Sequence, residues 1–166
     1  LHAAFSSDVF ERRGLPAGSW SKLRNTDHII QTAQGERFLG TLALDFGTAI
    51  SSGRGSDQRY SDGTTRDFIL AGIAAAMPSA RHIVARVATM LPISLYMEHR
   101  AAVERSLKGT HTFTYNGRSV TVKIEHVRVE REGAAAFAGM PPTTGRAIGI
   151  DIGGRTVNVA LFLNGE

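Results

Sequence analysis

Residues 111–130 read HTFTYNGRSVTVKIEHVRVE. Two runs of alternating apolar and polar residues flank Asn116–Gly117, and Asn-Gly supplies the two positive-φ positions of a type I′ turn. The pattern predicts a β-hairpin with Val120, Val122 and Ile124 on its apolar face. Val127 and Val129 continue that face only after a slip of phase at His126. Just upstream, HIVARVATML (82–91) is rich in β-branched residues and stops at Pro92, which predicts a buried strand. SLYMEHRAAVERSLKG (94–109) then reads as an amphipathic helix stopped by Gly109.

The rest of the chain falls into place around this block. Thr64 or Thr65 is the expected N-cap of a helix from Arg66 to Met77, with Phe68, Ile69, Ile73 and Met77 on its buried face. HIIQTAQGERFLGTLAL (28–44) predicts a hairpin about Gln34–Gly35. The polar stretches 11–27 and 51–65 read as loops. Downstream, GAAAFAG (133–139) predicts a short helix, MPPTTG (140–145) a turn, and RAIGIDI and TVNVALFL two closing strands. Strands and helices in this order predict an α/β domain with a mixed sheet.

Bulk properties narrow the class. A chain of 166 residues with 42% hydrophobic and 20% charged residues can bury a proper core. It has no cysteine, so disulfides and thiolate metal sites are excluded, which fits a reducing, cytoplasmic setting. The longest apolar run, 68–77, is too short to span a bilayer, so no membrane is expected. The chain starts at Leu1 with no signal peptide pattern, and the missing initiator Met points to a fragment or a processed chain. Net charge is +4, with arginines spread along the chain. That spread favours a solvated basic surface over direct contact with nucleic acid. The histidines are equally scattered, without the spacing of a zinc site.

The closing stretch GIDIGGRTVNVALF (149–162) carries the most chemistry. A Gly-Gly turn lets the backbone approach a phosphate, with its N–H groups converging into an anion nest. An aspartate at the end of the incoming strand can hold a hydrated Mg²⁺ beside that phosphate. Asp151, Gly153, Gly154 and Thr156 have this spacing. An ordinary tight hairpin with a capping aspartate has it too, and the two readings stay open on these residues alone.

EGAAAFAGMPPTTGRAIGIDIGGRTVNVALF (132–162) resembles the second phosphate hairpin, with its preceding helix, of the actin, sugar-kinase and heat-shock-chaperone ATPase superfamily. LPISLY (91–96), the helix ending LKG, the Asn-Gly hairpin and EGAAA (132–136) are similar, in that order, to actin-like proteins of the plasmid-segregation (ParM/StbA) type. The resemblance spans roughly residues 35–163. It implies a partial actin-like ATPase fold, a ribonuclease-H-like mixed sheet with flanking helices. Residues 1–145 would form the first lobe, lacking its opening phosphate hairpin, and 146–166 would start the second.

It further implies ATP and Mg²⁺ as cofactors. Asp151 would hold Mg²⁺ through water, the backbone of Gly153, Gly154, Arg155 and Thr156 would cradle the terminal phosphate, and Glu132 would orient the attacking water. Filaments of the protein itself and DNA reached through an adaptor are the implied partners. Asn158 departs from the family's usual aspartate, which leaves open a degenerate interaction module without turnover. A separate reading takes the closing stretch as the start of a ROK-type sugar kinase. LALDFGTAI (42–50) imitates the superfamily's first phosphate hairpin. It lies only about a hundred residues from Asp151, and polar residues come after it, so Asp45 is expected in a loop.

Overall fold

A computed structural model describes residues 10–11, 13–46, 57–133, 145–152 and 157–163. The described residues form, in chain order, β1 (Asp27–Thr32), β2 (Gly35–Gly40), α1 (Thr41–Phe46), α2 (Thr64–Ala76), β3 (His82–Leu91), α3 (Ile93–Leu107), β4 (Gly109–Tyr115), β5 (Arg118–Arg131), β6 (Arg146–Ile152) and β7 (Val157–Leu163). Short 3₁₀ turns lie at Trp20–Lys22 and Asp57–Tyr60.

Five strands form one sheet in the order β2-β1-β4-β5-β3. Only β3 and β5 run parallel; the other neighbours are antiparallel. Asn116 (φ 46°) and Gly117 (φ 76°) both have positive φ, as the type I′ turn of the β4–β5 hairpin requires. The phase slip also appears. Ala85 pairs with Ile124 and Arg86 with His126, so Glu125 is an extra, bulged residue. Val120, Val122 and Ile124 before it and Val129 after it are all buried, with Val127 partly so.

The junction between β1 and β4 is narrow, with only Ile30–Tyr115 and Gln31–Thr114 in register. Asn116 extends it. Its backbone N–H donates to the Ile29 carbonyl (2.9 Å), its Oδ1 accepts from the Ile29 N–H (2.8 Å), and its Nδ2 donates to the Asp27 carbonyl (2.9 Å). One turn residue thus imitates a strand and ties the two hairpins together.

The main core contains Ile30, Leu70, Leu91, Val103, Leu107, Phe113, Val122 and Ile124, from the sheet and the helices α2 and α3. Burying side chains of this kind is worth about 1.5–3 kcal/mol each. Ile29 and Leu42 form a second cluster with Trp20, Leu23 and Phe38. Adjacent residues of a strand face opposite sides, so Ile29 and Ile30 give β1 apolar packing on both faces.

Several expectations need correction. α2 begins at Thr64 behind a left-handed Gly63 (φ 83°), which has no side-chain cap; Asp62 Oδ1 instead accepts from the Thr64 N–H at 2.8 Å. The buried stripe of α2 is Asp67, Leu70, Ala71 and Ala74, while Phe68 and Met77 are exposed. Arg37 and Arg66 each reach the buried Asp67 carboxylate at 2.9 Å and so match the charge that the inner face carries. β3 is not buried on both sides: Val84 and Met90 are exposed, and it is the last strand of its sheet. The hairpin at 28–44 ends at Gly40, and Thr41–Phe46 is helical. Asp45 therefore sits in a helix and not in a loop, which agrees with rejecting this stretch as a phosphate hairpin.

β6 and β7 form a separate two-stranded antiparallel sheet. The predicted helix at 133–139 and the turn at 140–145 fall almost wholly outside the described residues. No helix among the described residues is long and apolar enough to cross a membrane.

Candidate functional site

The parallel pair β3·β5 brings two carboxyl ends side by side. Leu91 pairs with Arg131 at the last rung, and the Glu132 N–H donates to the Leu91 carbonyl at 2.8 Å. Pro92, extended at φ −49° and ψ 139°, stops β3 there and caps α3. Gly133 turns the chain away at φ 89°, a conformation strained for residues with a side chain. Half-buried Glu132 is thus fixed by its backbone just beyond two parallel strand ends, where α/β folds characteristically bind ligands.

The neighbourhood is basic and aromatic. The Arg131 guanidinium lies 4.8 Å from the centre of the Tyr96 ring, and that of Arg100 lies 5.6 Å away. Arg100 also pairs with Glu104 at 3.0 Å, which supports its charged state. Tyr96 belongs to the LPISLY segment, so this segment contributes an aromatic ring against Arg131, the residue before Glu132, as well as a strand end. Sequence reading passed over this packing because a lone aromatic after a strand has no distinctive spacing.

The other part of the site expected from the sequence is the β6–β7 hairpin. Its register pairs Asp151 with Asn158 and Ile152 with Val157, leaving 153–156 as a four-residue connection. Asp151 therefore stands one rung before the turn, where the sequence put it. Gly153, Gly154, Arg155 and Thr156 lie outside the described residues. Glu132 follows a strand of the five-stranded sheet, whereas Asp151 lies in the β6–β7 sheet. The donor types suit a hydrated Mg²⁺: one carboxylate near a strand end and a second carboxylate on another element.

Away from these residues, two acids are wholly buried. Asp27 accepts from Arg13 at 2.6 Å and from the Arg24 backbone N–H at 2.9 Å, and Arg24 bridges onward to Asp45 at 3.0 Å. Burial alone would raise the Asp27 carboxyl. The hydrogen bonds from Arg13 and Arg24 outweigh it and hold the group below the ordinary carboxylate range. These clamps secure the lobe. An acid on an otherwise apolar helical stripe, as at Asp67, was the available sequence signal.

A mixed sheet carrying helices, an acid at its parallel carboxyl ends and a further aspartate-bearing hairpin define the first lobe of an actin-like fold. Residues 4–134 match the family described as actin-like proteins, N-terminal domain. The chain belongs to that family. No curated protein matches it in sequence. Among solved structures it is similar to the actin-like protein Alp7A, at 17% identity and a TM-score of 0.67 over 98% of this chain and 49% of that one. It is also similar to AlfA from the B. subtilis plasmid pLS32, solved as a filament, at 13% identity and 0.64 over 87% and 54%. A third is Ta0583, an archaeal actin homolog in complex with ADP, at 16% identity and 0.58 over 82% and 46%. The chain thus spans about half the length of these relatives. The family match over 4–134 accounts for the residues that a sugar-kinase start leaves unexplained.

Proposed function

We infer that this chain is the first-lobe portion of an ATP-binding, filament-forming protein, with residues 1–145 as the first lobe and 146–166 opening the second. The observation that carries this reading is the place of Glu132 at the carboxyl ends of β3 and β5 in a lobe of the actin-like family. Bound MgATP supplies the phosphoryl group and its charge neutralisation. On the protein's side, Asp151 would hold the hydrated cation, and the backbone of Gly153, Gly154, Arg155 and Thr156 would hold the terminal phosphate. Glu132 orients the attacking water, a positioning role that needs few side chains. The ADP-bound archaeal relative supports a nucleotide, and the AlfA filament supports self-association. Segregation or positioning of DNA through an adaptor, in the cytoplasm, is the corresponding cellular role.

The test is equilibrium titration of the chain with ATP in the presence and absence of Mg²⁺. Binding that strengthens with Mg²⁺, and loses that gain in Asp151→Asn, is expected. Glu132→Gln should bind MgATP as the parent does, because its role lies in turnover. The chain by itself should hydrolyse ATP below detection. Mg²⁺-independent binding, or none, removes the reading and leaves an interaction module that has lost nucleotide chemistry, consistent with Asn158.

A further inference from the structure

A cavity of about 670 Å³ opens at the far end of the lobe, lined by Trp20, Arg24, Asn25, His28, Tyr115 and Arg118 among others. Its volume lies within the usual range of small-molecule sites. Arg118 begins β5 and Glu132 lies just past its end, so at a rise of about 3.3 Å per residue the two regions lie roughly 40 Å apart. The cavity is therefore separate from the Glu132 end of the lobe.

Its walls are fixed in place. Phe10 meets the Trp20 ring edge-on, with centroids 5.0 Å apart and planes at 89°. On another side the indole lies so close to Gly117 that a Cβ there would fall 2.5 Å from it. His28 and Tyr115 stack at 6.0 Å and 23°, joined by a 2.6 Å hydrogen bond between His28 Nδ1 and the Tyr115 hydroxyl. Arg118 donates to the carbonyls of Ala74 and Ala80 where α2 ends. Those carbonyls orient the guanidinium without neutralising it, and no carboxylate is among its described partners. Arg24, by contrast, is already matched by Asp27 and Asp45. None of the described residues lining the cavity is acidic.

Held aromatic rings, amide groups and one unmatched guanidinium select a flat ring bearing a negative charge. We propose that this cavity is a second binding site, for a small planar anion consisting of an aromatic or heteroaromatic ring with a carboxylate or phosphate. The ring lies against Trp20 and the His28–Tyr115 pair, and the anionic group meets Arg118.

The chain's single tryptophan lines this cavity, so its indole N–H gives one NMR resonance that reports on the site. The full chain is titrated separately with adenosine monophosphate, 4-hydroxybenzoate and inorganic phosphate. A saturable shift of the indole resonance with at least one ring-bearing probe is expected, and the stronger of the two identifies phosphate or carboxylate as the anion. Arg118→Met should weaken that binding roughly tenfold or more. Because Arg118 also holds two carbonyls, Ser21→Glu is a second variant that adds a negative charge at an exposed lining residue and should weaken binding likewise. No saturable shift with either ring-bearing probe, unchanged affinity in Ser21→Glu, or equal affinity for inorganic phosphate would overturn the proposal.

Discussion

The five-stranded lobe and the β6–β7 hairpin treat apolar surface in opposite ways. In the lobe, Ile30, Val103, Leu107 and Val122 are completely buried, and the two inward-facing aspartates are each clamped by a pair of arginines. In the hairpin, Ile148, Ile150, Val159 and Leu161 remain between 59% and 65% exposed. Ile148 is opposite Leu161 and Ile150 opposite Val159, so the four form one continuous face. The lobe's stability is therefore internal, whereas the hairpin leaves one apolar face open.

The sharpest way to break this contrast is a matched pair of truncations. Leu107→Ala should cost between about 2 and 5 kcal/mol in urea unfolding, because it opens a cavity under α3. Ile150→Ala should move the same transition by less than about 0.5 kcal/mol. Equal losses would show that the hairpin is buried after all.

Next in size is Asp27→Ala, which leaves Arg13 without its buried partner and should cost about 3 kcal/mol at neutral pH. The folded state holds Asp27 below its ordinary value. Its contribution is therefore complete above the unfolded pKa of about 3.9 and disappears as pH falls through the lowered folded value. Stability curves of parent and variant should converge in acid; a gap that persists would assign the cost to packing.

Gly117→Ala comes third, at roughly 1–3 kcal/mol, from a Cβ placed at positive φ against the Trp20 ring. Trp20 emission should shift along with stability, and an unchanged spectrum would mean that the ring is not seated there.

The smallest effect on stability belongs to Ile150→Thr with Val159→Thr. Unfolding should change by less than about 0.5 kcal/mol, while the sedimentation coefficient at high concentration should fall toward that of a monomer. Association that is indifferent to both substitutions would locate self-assembly elsewhere.

The sequence was most legible where the signal is local. Asn116–Gly117 announced its turn, Pro92 its strand end, and the shift of apolar residues near His126 its bulge. Asp151 fell one rung before its turn because a strand's period is simple. What failed depended on partners distant in the chain. The inner face of α2 includes Asp67, whose burial is intelligible only once Arg37 arrives from β2. β3 reads as a buried strand, yet Val84, Arg86, Ala88 and Met90 alternate onto an exposed face of the sheet, which its β-branched composition does not reveal. Tyr96 could not be coupled to Arg131 from a spacing of thirty-five residues. The hold of Arg13 and Arg24 on Asp27 likewise lay hidden in a stretch that reads only as polar loop.

The bulge at Glu125 sets the parity of everything after it. Before it, even-numbered residues of β5 enter the core; after it, odd-numbered ones do. Pairing this residue as an ordinary rung, with the bulge ironed out, would act like a frameshift written in space. Arg128 and Glu130 would turn inward, Val127 and Val129 outward, and Glu132 would leave the sheet on the other side. The bulge in mid-strand thus decides which side of the lobe receives the acid on which the proposed chemistry depends.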